Sequence, residues 1–409
     1  MKNQILGRIN FISRKVNGIH QFIIITILTF FLQSNVNAQF NRQQCREHNM
    51  IGGNVWVDYN FNSIMDEENT GLEGITVTAY DAFGNVVAQT TTGPTGDYIL
   101  PIQNGRNVRI EFTDIPEAYA DGFFGSESGT TVRFVTSPSC SVDLALISSG
   151  CMCGDMPPFI IPCYVNGNLS VPSVAERAAL LWIGYDQRGL GANYETYPPT
   201  AGDGGMPNLI ATAGEVGALW GVAYDARSST AFSTALIKRF TDMGPGGIGA
   251  IYAVSDPTTG GGLYEYIDLA SCLGIAQIAR PDIGTGVSNP SLDIAGYNAA
   301  GKEGLGSVTV SEDGLYMYVT DLTNKQLVQI KLRNNPNDPL LPGSCANVST
   351  YPIPTVSGCS AYDSRPWAVQ TYMGDVYVGS VCSAESTNSP ADMTVDVFKF
   401  DPNTNTFTS

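Results

Sequence analysis

Between Trp56 and Gly74 the chain places side-chain oxygens at every second position, Asp58, Asn60 and Asn62, and then clusters carboxylates at Asp66, Glu67 and Glu68. Strand-like apolar runs lie on both sides. Asn and Asp favour turns because their side chains bond the nearby backbone. A tight loop with this spacing can also aim several oxygens inward, and a hard cation such as Ca²⁺ takes six to eight oxygens at about 2.3–2.6 Å. Read as a twelve-residue loop, Asp58, Asn60, Asn62, the Ile64 carbonyl and Asp66 hold positions one, three, five, seven and nine. Asn69 falls at twelve, where a bidentate carboxylate normally sits, and Ser63 stands where glycine is usual. Glu67 or Glu68 can supply the missing carboxylate only if the backbone bends differently. The expectation is a Ca²⁺ loop clamping a β-domain; the alternative is an Asx-rich turn that needs no metal.

The order Val55-Trp56-Val57-Asp58-Tyr59-Asn60-Phe61-Asn62, then Asp66, then Gly71-Leu72-Glu73-Gly74-Ile75-Thr76-Val77, resembles the calcium-binding B-type domain of bacterial serine-aspartate-repeat adhesins. Thr90–Leu100 (TTTGPTGDYIL) fits the same family's turn and strand. The resemblance covers about residues 51–148. It implies a small antiparallel β-sandwich used as a spacer on cell surfaces, with Ca²⁺ as its cofactor.

The alternation of the segment agrees with that class. Candidate strands run over 52–59, 75–80, 86–91, 97–102, 108–112, 131–135 and 142–147, and Asp81-Ala82-Phe83-Gly84-Asn85 is a hairpin signal. Short strands at this density point to an antiparallel sandwich. Related surface domains often carry a Lys–Asn crosslink, which is excluded here because no lysine occurs between Lys15 and Lys238.

The first 38 residues read as a secretory signal: Lys2, Arg8, Arg14 and Lys15, an apolar core from Phe22 to Leu32, and a small-residue cleavage site at Val36-Asn37-Ala38. Residues 39–50 are a polar lead-in. Cleavage removes four basic and no acidic residues, leaving 17 basic against 38 acidic, a net charge near −21. Such a surface repels nucleic-acid phosphates, so nucleic acid is not an expected partner. No later run reaches membrane-spanning length, and the mature product is expected to be exported or displayed at the cell surface. His48 is the only histidine left after cleavage, which rules out multi-histidine metal sites and leaves carboxylate chemistry as the open catalytic route. The nine cysteines read as disulfides in an exported protein. Cys45 and Cys140 flank the first domain and could staple its ends, and Cys153 with Cys163 would close a short loop.

Residues 149–176 read as a Cys- and Pro-rich linker. From 177 to 409 the chain shows three weak repeats, beginning at Trp220, Leu305 and Arg365. Each is an apolar strand, an acidic or glycine turn, a small-residue strand and a further strand, with part of a fourth unit near Ala178–Tyr185. They resemble β-propeller blades, which bury their faces only against neighbouring blades and usually number four to eight. The expected fold is therefore all-β, an N-terminal antiparallel β-sandwich followed by an incomplete propeller-like domain, with truncation as the favoured explanation of the incomplete ring. The combination is similar to surface proteins of gliding, polysaccharide-degrading bacteria.

Within that domain Lys238 and Arg239 precede a glycine cluster whose amides could cradle an anion, but the Gly-Lys-Ser/Thr ending of a nucleotide loop is missing. Trp220, Arg365 and Trp367 open two of the repeats, where strand ends could meet a ligand, although such aromatics more often pack between blades. Glu312 and Asp313 occupy a turn and are expected to be solvated. No catalytic residue is singled out. The expected function is a surface-binding or adhesion protein engaging protein or glycan; the alternatives are a propeller hydrolase or lyase using acidic residues, and a structural surface component.

Overall fold

The computed structural model describes residues 45–48, 50–66, 70–125, 127–148, 157–185, 207–285, 289, 291–336 and 338–408. The expected signal peptide and most of the lead-in lie outside these residues. The chain divides into two compact units, one through Ser149 without Tyr59–Phe61, the other from Gly150 onward together with Tyr59–Phe61.

The first unit is a sandwich of two four-stranded sheets. Its strands are β1 (Ile51–Val57), β2 (Thr76–Tyr80), β3 (Val86–Thr91), β4 (Asp97–Leu100), β5 (Asn107–Thr113), β6 (Tyr119–Asp121), β7 (Val132–Thr136) and β8 (Leu144–Ser148). One sheet runs β4-β1-β8-β6 and the other β3-β2-β5-β7. The pairing is antiparallel except between β1 and β8, which run parallel. Sequence alternation places Val108, Ile110 and Phe112 of β5 inward. There they meet Ile51, Val55, Val77, Leu100, Leu144 and Leu146 in one core. Side chains two apart point to the same face, which is why the pattern survives into the core.

β1 is buried along its whole length. Gly53 permits this, because a Cβ there would stand 2.3 Å from the Val142 carbonyl oxygen. In the β2–β3 hairpin the Asp81 carboxylate accepts from the Phe83 and Asn85 amides, each at 2.9 Å. The expected staple is present: Cys45 and Cys140 are bonded across a separation of 95 residues.

The second unit begins inside the segment expected to be a linker. β9 (Phe159–Pro162) pairs with β10 (Ala178–Ile183), which pairs with β11 (Asn208–Thr212). Three four-stranded meanders follow in strict chain order. They are β12 (Leu219–Asp225) to β15 (Leu263–Asp268) by way of β13 (Thr230–Ala235) and β14 (Ala250–Ser255), and β16 (Leu305–Val310), β17 (Tyr316–Asp321), β18 (Gln326–Lys331) and β19 (Val348–Pro352). The last comprises β20 (Ser364–Tyr372), β21 (Asp375–Cys382), β22 (Val395–Asp401) and β23 (Thr406–Thr408). The fourth strand of each meander had no clear signal in sequence.

Successive sheets pack face to face. Leu180 and Ala211 meet Leu219 and Tyr252; Phe232 and Ile251 meet Met317 and Val319; Tyr318 and Leu327 meet Val376 and Phe400. First strands adjoin, β12 beside β16 and β16 beside β20. This is the propeller-like arrangement, since each sheet buries a face only against its neighbour.

The three first strands share one irregularity, a bulge between Leu219 and Val222, Leu305 and Val308, and Pro366 and Ala368. Next to it, Thr234 donates to the Gly306 carbonyl at 2.8 Å, and Thr320 donates to the Trp367 carbonyl at 2.8 Å. Both threonines are fully buried. The same bond thus repeats from one sheet to the next. It satisfies carbonyls that a bulge frees from the ladder.

Disulfides Cys272–Cys345 and Cys359–Cys382 add covalent ties within this unit. Cys163 is free, which corrects the expected Cys153–Cys163 pair; Cys153 lies outside the described residues.

Candidate functional site

Two places carry the residues singled out in sequence. The first is the loop after β1. Asp58 is fully buried, its amide donates to the Leu146 carbonyl at 2.8 Å, and its Oδ2 accepts from the Ser63 amide at 2.8 Å. Asn62 Oδ1 accepts from the Ile64 amide at 2.8 Å, and its Nδ2 donates to Asp66 Oδ2 at 2.9 Å. Phe61 and Ser63 hold left-handed φ values of 62° and 60°, which turn the chain back on itself. Asn60 falls in the Tyr59–Phe61 stretch that groups with the second unit. Glu67, Glu68 and Asn69 lie outside the described residues.

A residue missed in sequence borders this loop. Glu127 Oε2 accepts from the Met65 amide at 3.0 Å, and the Glu127 amide donates to the Ser63 carbonyl at 3.3 Å. Ser63 Oγ donates to the Phe123 carbonyl at 2.7 Å, so Phe123 and Glu127 both lie against the loop. Among the described residues no group of three or more His, Cys, Asp or Glu is placed to hold a metal. The donors present are carboxylate, amide and carbonyl oxygens, the chemistry that suits a hard cation. The Asx bonds also stabilise the turn without one.

The second place is the entry end of the meanders. Trp220 of β12 and Trp367 of β20 come together with ring centroids 5.5 Å apart at 59°. The intervening first strand carries Gly306 at the same bulge, where a Cβ would stand 2.4 Å from Thr320 Oγ1 and 2.9 Å from the Trp367 carbonyl oxygen. Trp220 remains 41% exposed, so the pair is not only packing between sheets.

Arg365, two residues before Trp367, pairs with Glu385 at 3.4 Å and lies 5.2 Å from the Tyr362 ring centroid. Lys302 pairs with the other oxygen of Glu385. Bonding to Lys302 first, then to Arg365, holds the Glu385 carboxyl below the usual glutamate range. A cleft of about 450 Å³ opens here, lined by Tyr297, Asn298, Lys302, Glu385, Asn388 and Met393 among others. Of the candidates, Trp220 and Trp367 are brought together, while Arg365 joins Lys302 on Glu385; the described lining of the cleft includes Lys302 and Glu385 but none of these three. Lys302, Glu385, Tyr297 and Tyr362 were missed, because they converge from separate segments and share no local pattern.

Lys238 and Arg239 are placed differently from the expectation. Lys238 sits 4.6 Å above the Tyr164 ring. Arg239 lies against Phe240 and Tyr297 and donates to the Leu292 carbonyl at 3.1 Å. The Gly244–Gly247 turn is bordered instead by Asp242, Glu265 and Asp268, so no cationic anion cradle forms there.

Their loop is held by the buried pair Arg280–Asp293, with Arg280 donating to the Thr241 and Lys238 carbonyls at 2.7 and 2.8 Å. Burial raises the Asp293 carboxyl pKa, but bonds from Arg280 and the Phe240 amide outweigh it and hold the carboxyl low.

Glu312 corrects the expectation of a solvated acid. It is half-buried beside the Met373–Gly374 turn. Burial, reinforced by the charge of Asp313, pushes its carboxyl up to about 7 against the pull of the Met373 and Gly374 amides.

No helix among the described residues is long and apolar enough to cross a membrane. Colossin-C of Dictyostelium discoideum is 26% identical over 369 residues, covering 88% of this chain and 34% of that protein. Colossin-D of the same organism is 25% identical over 353 residues, covering 83% and 36%. Serine-aspartate repeat-containing protein D of Staphylococcus aureus (strain Newman) is 41% identical over 69 residues, 17% of this chain and 5% of that protein. The chain thus spans about a third or less of the length of these relatives.

Among solved structures, the Pseudomonas aeruginosa periplasmic gluconolactonase aligns at 9% identity and TM-score 0.28, over 82% of this chain and 81% of that one. A β-propeller domain from Myceliophteria thermophila aligns at 10% identity and TM-score 0.27, over 88% and 85%. Scores this low carry no argument; the propeller-like description rests on the sheet topology above. Residues 49–131 match the family model of the SdrD B-like domain, so the first unit carries an SdrD B-like domain.

Proposed function

We propose that the protein is a secreted or cell-surface adhesion-type binding protein, with the sandwich as a calcium-stabilised spacer and the meanders presenting a glycan site. The observations that carry the reading are the Trp220–Trp367 pair, with Trp220 41% exposed, and, in the same unit, a cleft of about 450 Å³ lined by Tyr297, Lys302 and Glu385. Flat aromatic faces next to a few placed polar groups are what a sugar ring needs, apolar C–H contact on one side and hydrogen bonds around its rim. Glu385 is the one carboxylate among the described residues lining the cleft. Glycoside hydrolysis ordinarily uses two. Binding without turnover is therefore favoured over the hydrolase alternative.

In the sandwich, Asp58, Asn62, the Ile64 carbonyl and Asp66 would hold Ca²⁺, with Asn60, Glu67, Glu68 and Asn69 as further candidates from the sequence. The ion would supply positive charge to a buried carboxylate and rigidity to the end of β1. The resemblance to cell-surface adhesins supports the location.

Two measurements test this reading on the intact protein. A glycan array should show retention that Trp220→Ala and Trp367→Ala abolish; released product would favour the enzyme, and no retention on any glycan would overturn the glycan site. Calorimetric melting with Ca²⁺ against chelator should show a rise, about 2.7 kcal/mol at a hundredfold excess over Kd. Asp58→Ala should remove most of it, and a wild-type melt insensitive to Ca²⁺ would end the spacer argument.

A further inference from the structure

The glycan reading can be taken one step further by asking which sugars suit the cleft. Lys302 follows the short helix Ile294–Ala299, and Arg365 lies in β20. They come from segments far apart in sequence, yet both meet the single carboxylate of Glu385. That carboxylate is 41% exposed, while the Arg365 side chain is 12% exposed. Arg365 is therefore the built part of the site, and Lys302, 30% exposed, lies with Glu385 nearer its surface.

The turn that presents Glu385 is itself held firmly. Ala384 and Asn388 adopt left-handed φ values of 52° and 51°. The Asn388 amide donates to the Ala384 carbonyl at 2.9 Å, and the Ser386 amide donates to Asp363 at 3.1 Å. The Arg365 Nε is buried and has no hydrogen-bond partner among the described residues, which leaves the terminal nitrogens to meet a carboxylate. Guanidinium offers a planar fork matched to carboxylate oxygens, and lysine adds a point charge.

We infer that the cleft recognises an acidic saccharide, with Lys302 and Arg365 taking the sugar carboxylate and Glu385 holding that place in the free protein. The inference rests on the glycan reading above. The Glu385 carboxylate is partly exposed and meets Arg365 only at 3.4 Å, so a ligand carboxylate can take its place without leaving either cation unpaired. Trp367 lies beside Gly301, with its ring 4.0 Å from where a Cβ at Gly301 would stand, so an aromatic surface continues from the cations toward Trp220. Arg239, against Tyr297 on the cleft wall, adds a third positive charge nearby. On a chain of formal net charge −17 such a patch would focus anions that the remaining surface repels.

The test is titration calorimetry on the intact protein with oligogalacturonate and alginate oligosaccharides, each also as its methyl ester, which keeps the sugar and removes the charge. At least one acid form should bind, with its ester at least tenfold weaker. Lys302→Ala and Arg365→Ala should each weaken the acid form tenfold or more. Glu385→Gln should tighten it severalfold, since the internal competitor is gone, and should leave the ester unchanged. The inference is overturned if esters bind as well as acids, or if Glu385→Gln fails to tighten the acid form. Neutral glycans retained through Trp367 with no uronide binding would sink this inference and leave the glycan site standing. No binding by any saccharide would sink both.

Discussion

Replacing Asp225 by alanine would strand the Arg333 guanidinium inside the second unit. Arg333 is 1% exposed and Asp225 2%. Arg333 Nη1 reaches Asp225 Oδ1 at 3.1 Å, and Nη2 pairs with Oδ2. Two further donors are used as well, Nη1 on the Gly314 carbonyl and Nε on the Asp338 carbonyl at 3.1 Å. Asp225 ends β12 and Arg333 follows β18, so the pair ties two successive meanders together. Removing one member of a buried ion pair costs about 3–5 kcal/mol, because the other charge is left desolvated and uncompensated. In units of 150–250 residues each kcal/mol lowers the melting temperature by about 2–4 °C, so a drop of roughly 6–20 °C is expected. The assay is calorimetric melting of wild type, Asp225→Ala, and the double variant Asp225→Leu with Arg333→Met. The double variant should recover most of the loss, since apolar replacements remove both desolvation costs together. Burial limits screening, so the single-variant loss should persist in high salt. A single-variant melt within about 2 °C of wild type would refute the reasoning.

Two further outcomes follow from other parts of the molecule. Glu312 is neutral in the folded state up to about pH 7, whereas the unfolded chain loses that proton near its ordinary value of 4.5. Its contribution is therefore fully present below about pH 4.5, lost as pH rises to about 7, and constant above. Melting curves should show Glu312→Gln gaining on wild type across that window, and a pH-independent difference would contradict the assignment. Removing the Cys45–Cys140 bond with paired alanines should cost the sandwich about 2–4 kcal/mol, because the bond closes a long loop of the unfolded chain. Denaturant unfolding measures it, and unchanged stability would mean that the unfolded chain is not constrained by the link.

Alternation in the sequence located most of the sandwich strands because inward and outward side chains differ in polarity at every second residue. The strand expected over 86–91 is β3 without a shift, and that over 108–112 is β5 extended by one residue at each end. β6 was invisible: three residues, Tyr119–Asp121, are too few to show a period. The parallel partnering of β1 with β8 was invisible too, since alternation reports which face a side chain takes and not which strand lies alongside. The linker expectation failed at β9 for a related reason. Phe159–Pro162 is short and half-exposed, and its pairing with β10 becomes evident only once β10 is in place.

For the candidate site, the chain alone determined the kind of donor in the loop at Asp58 to Asp66 and the tryptophans that open the first and last meanders. These are local facts, carried by spacing along a few residues. Tertiary structure decided which of them meet. It brought Trp220 to Trp367 across Gly306, set Lys302 and Arg365 on the two oxygens of Glu385, and turned Lys238 and Arg239 away from the glycine turn. It also moved Glu312 from water into a neighbouring turn and so raised its proton affinity. Charge and hydrogen-bonding energies depend on distance and burial, which arise only when segments far apart in the chain are packed together.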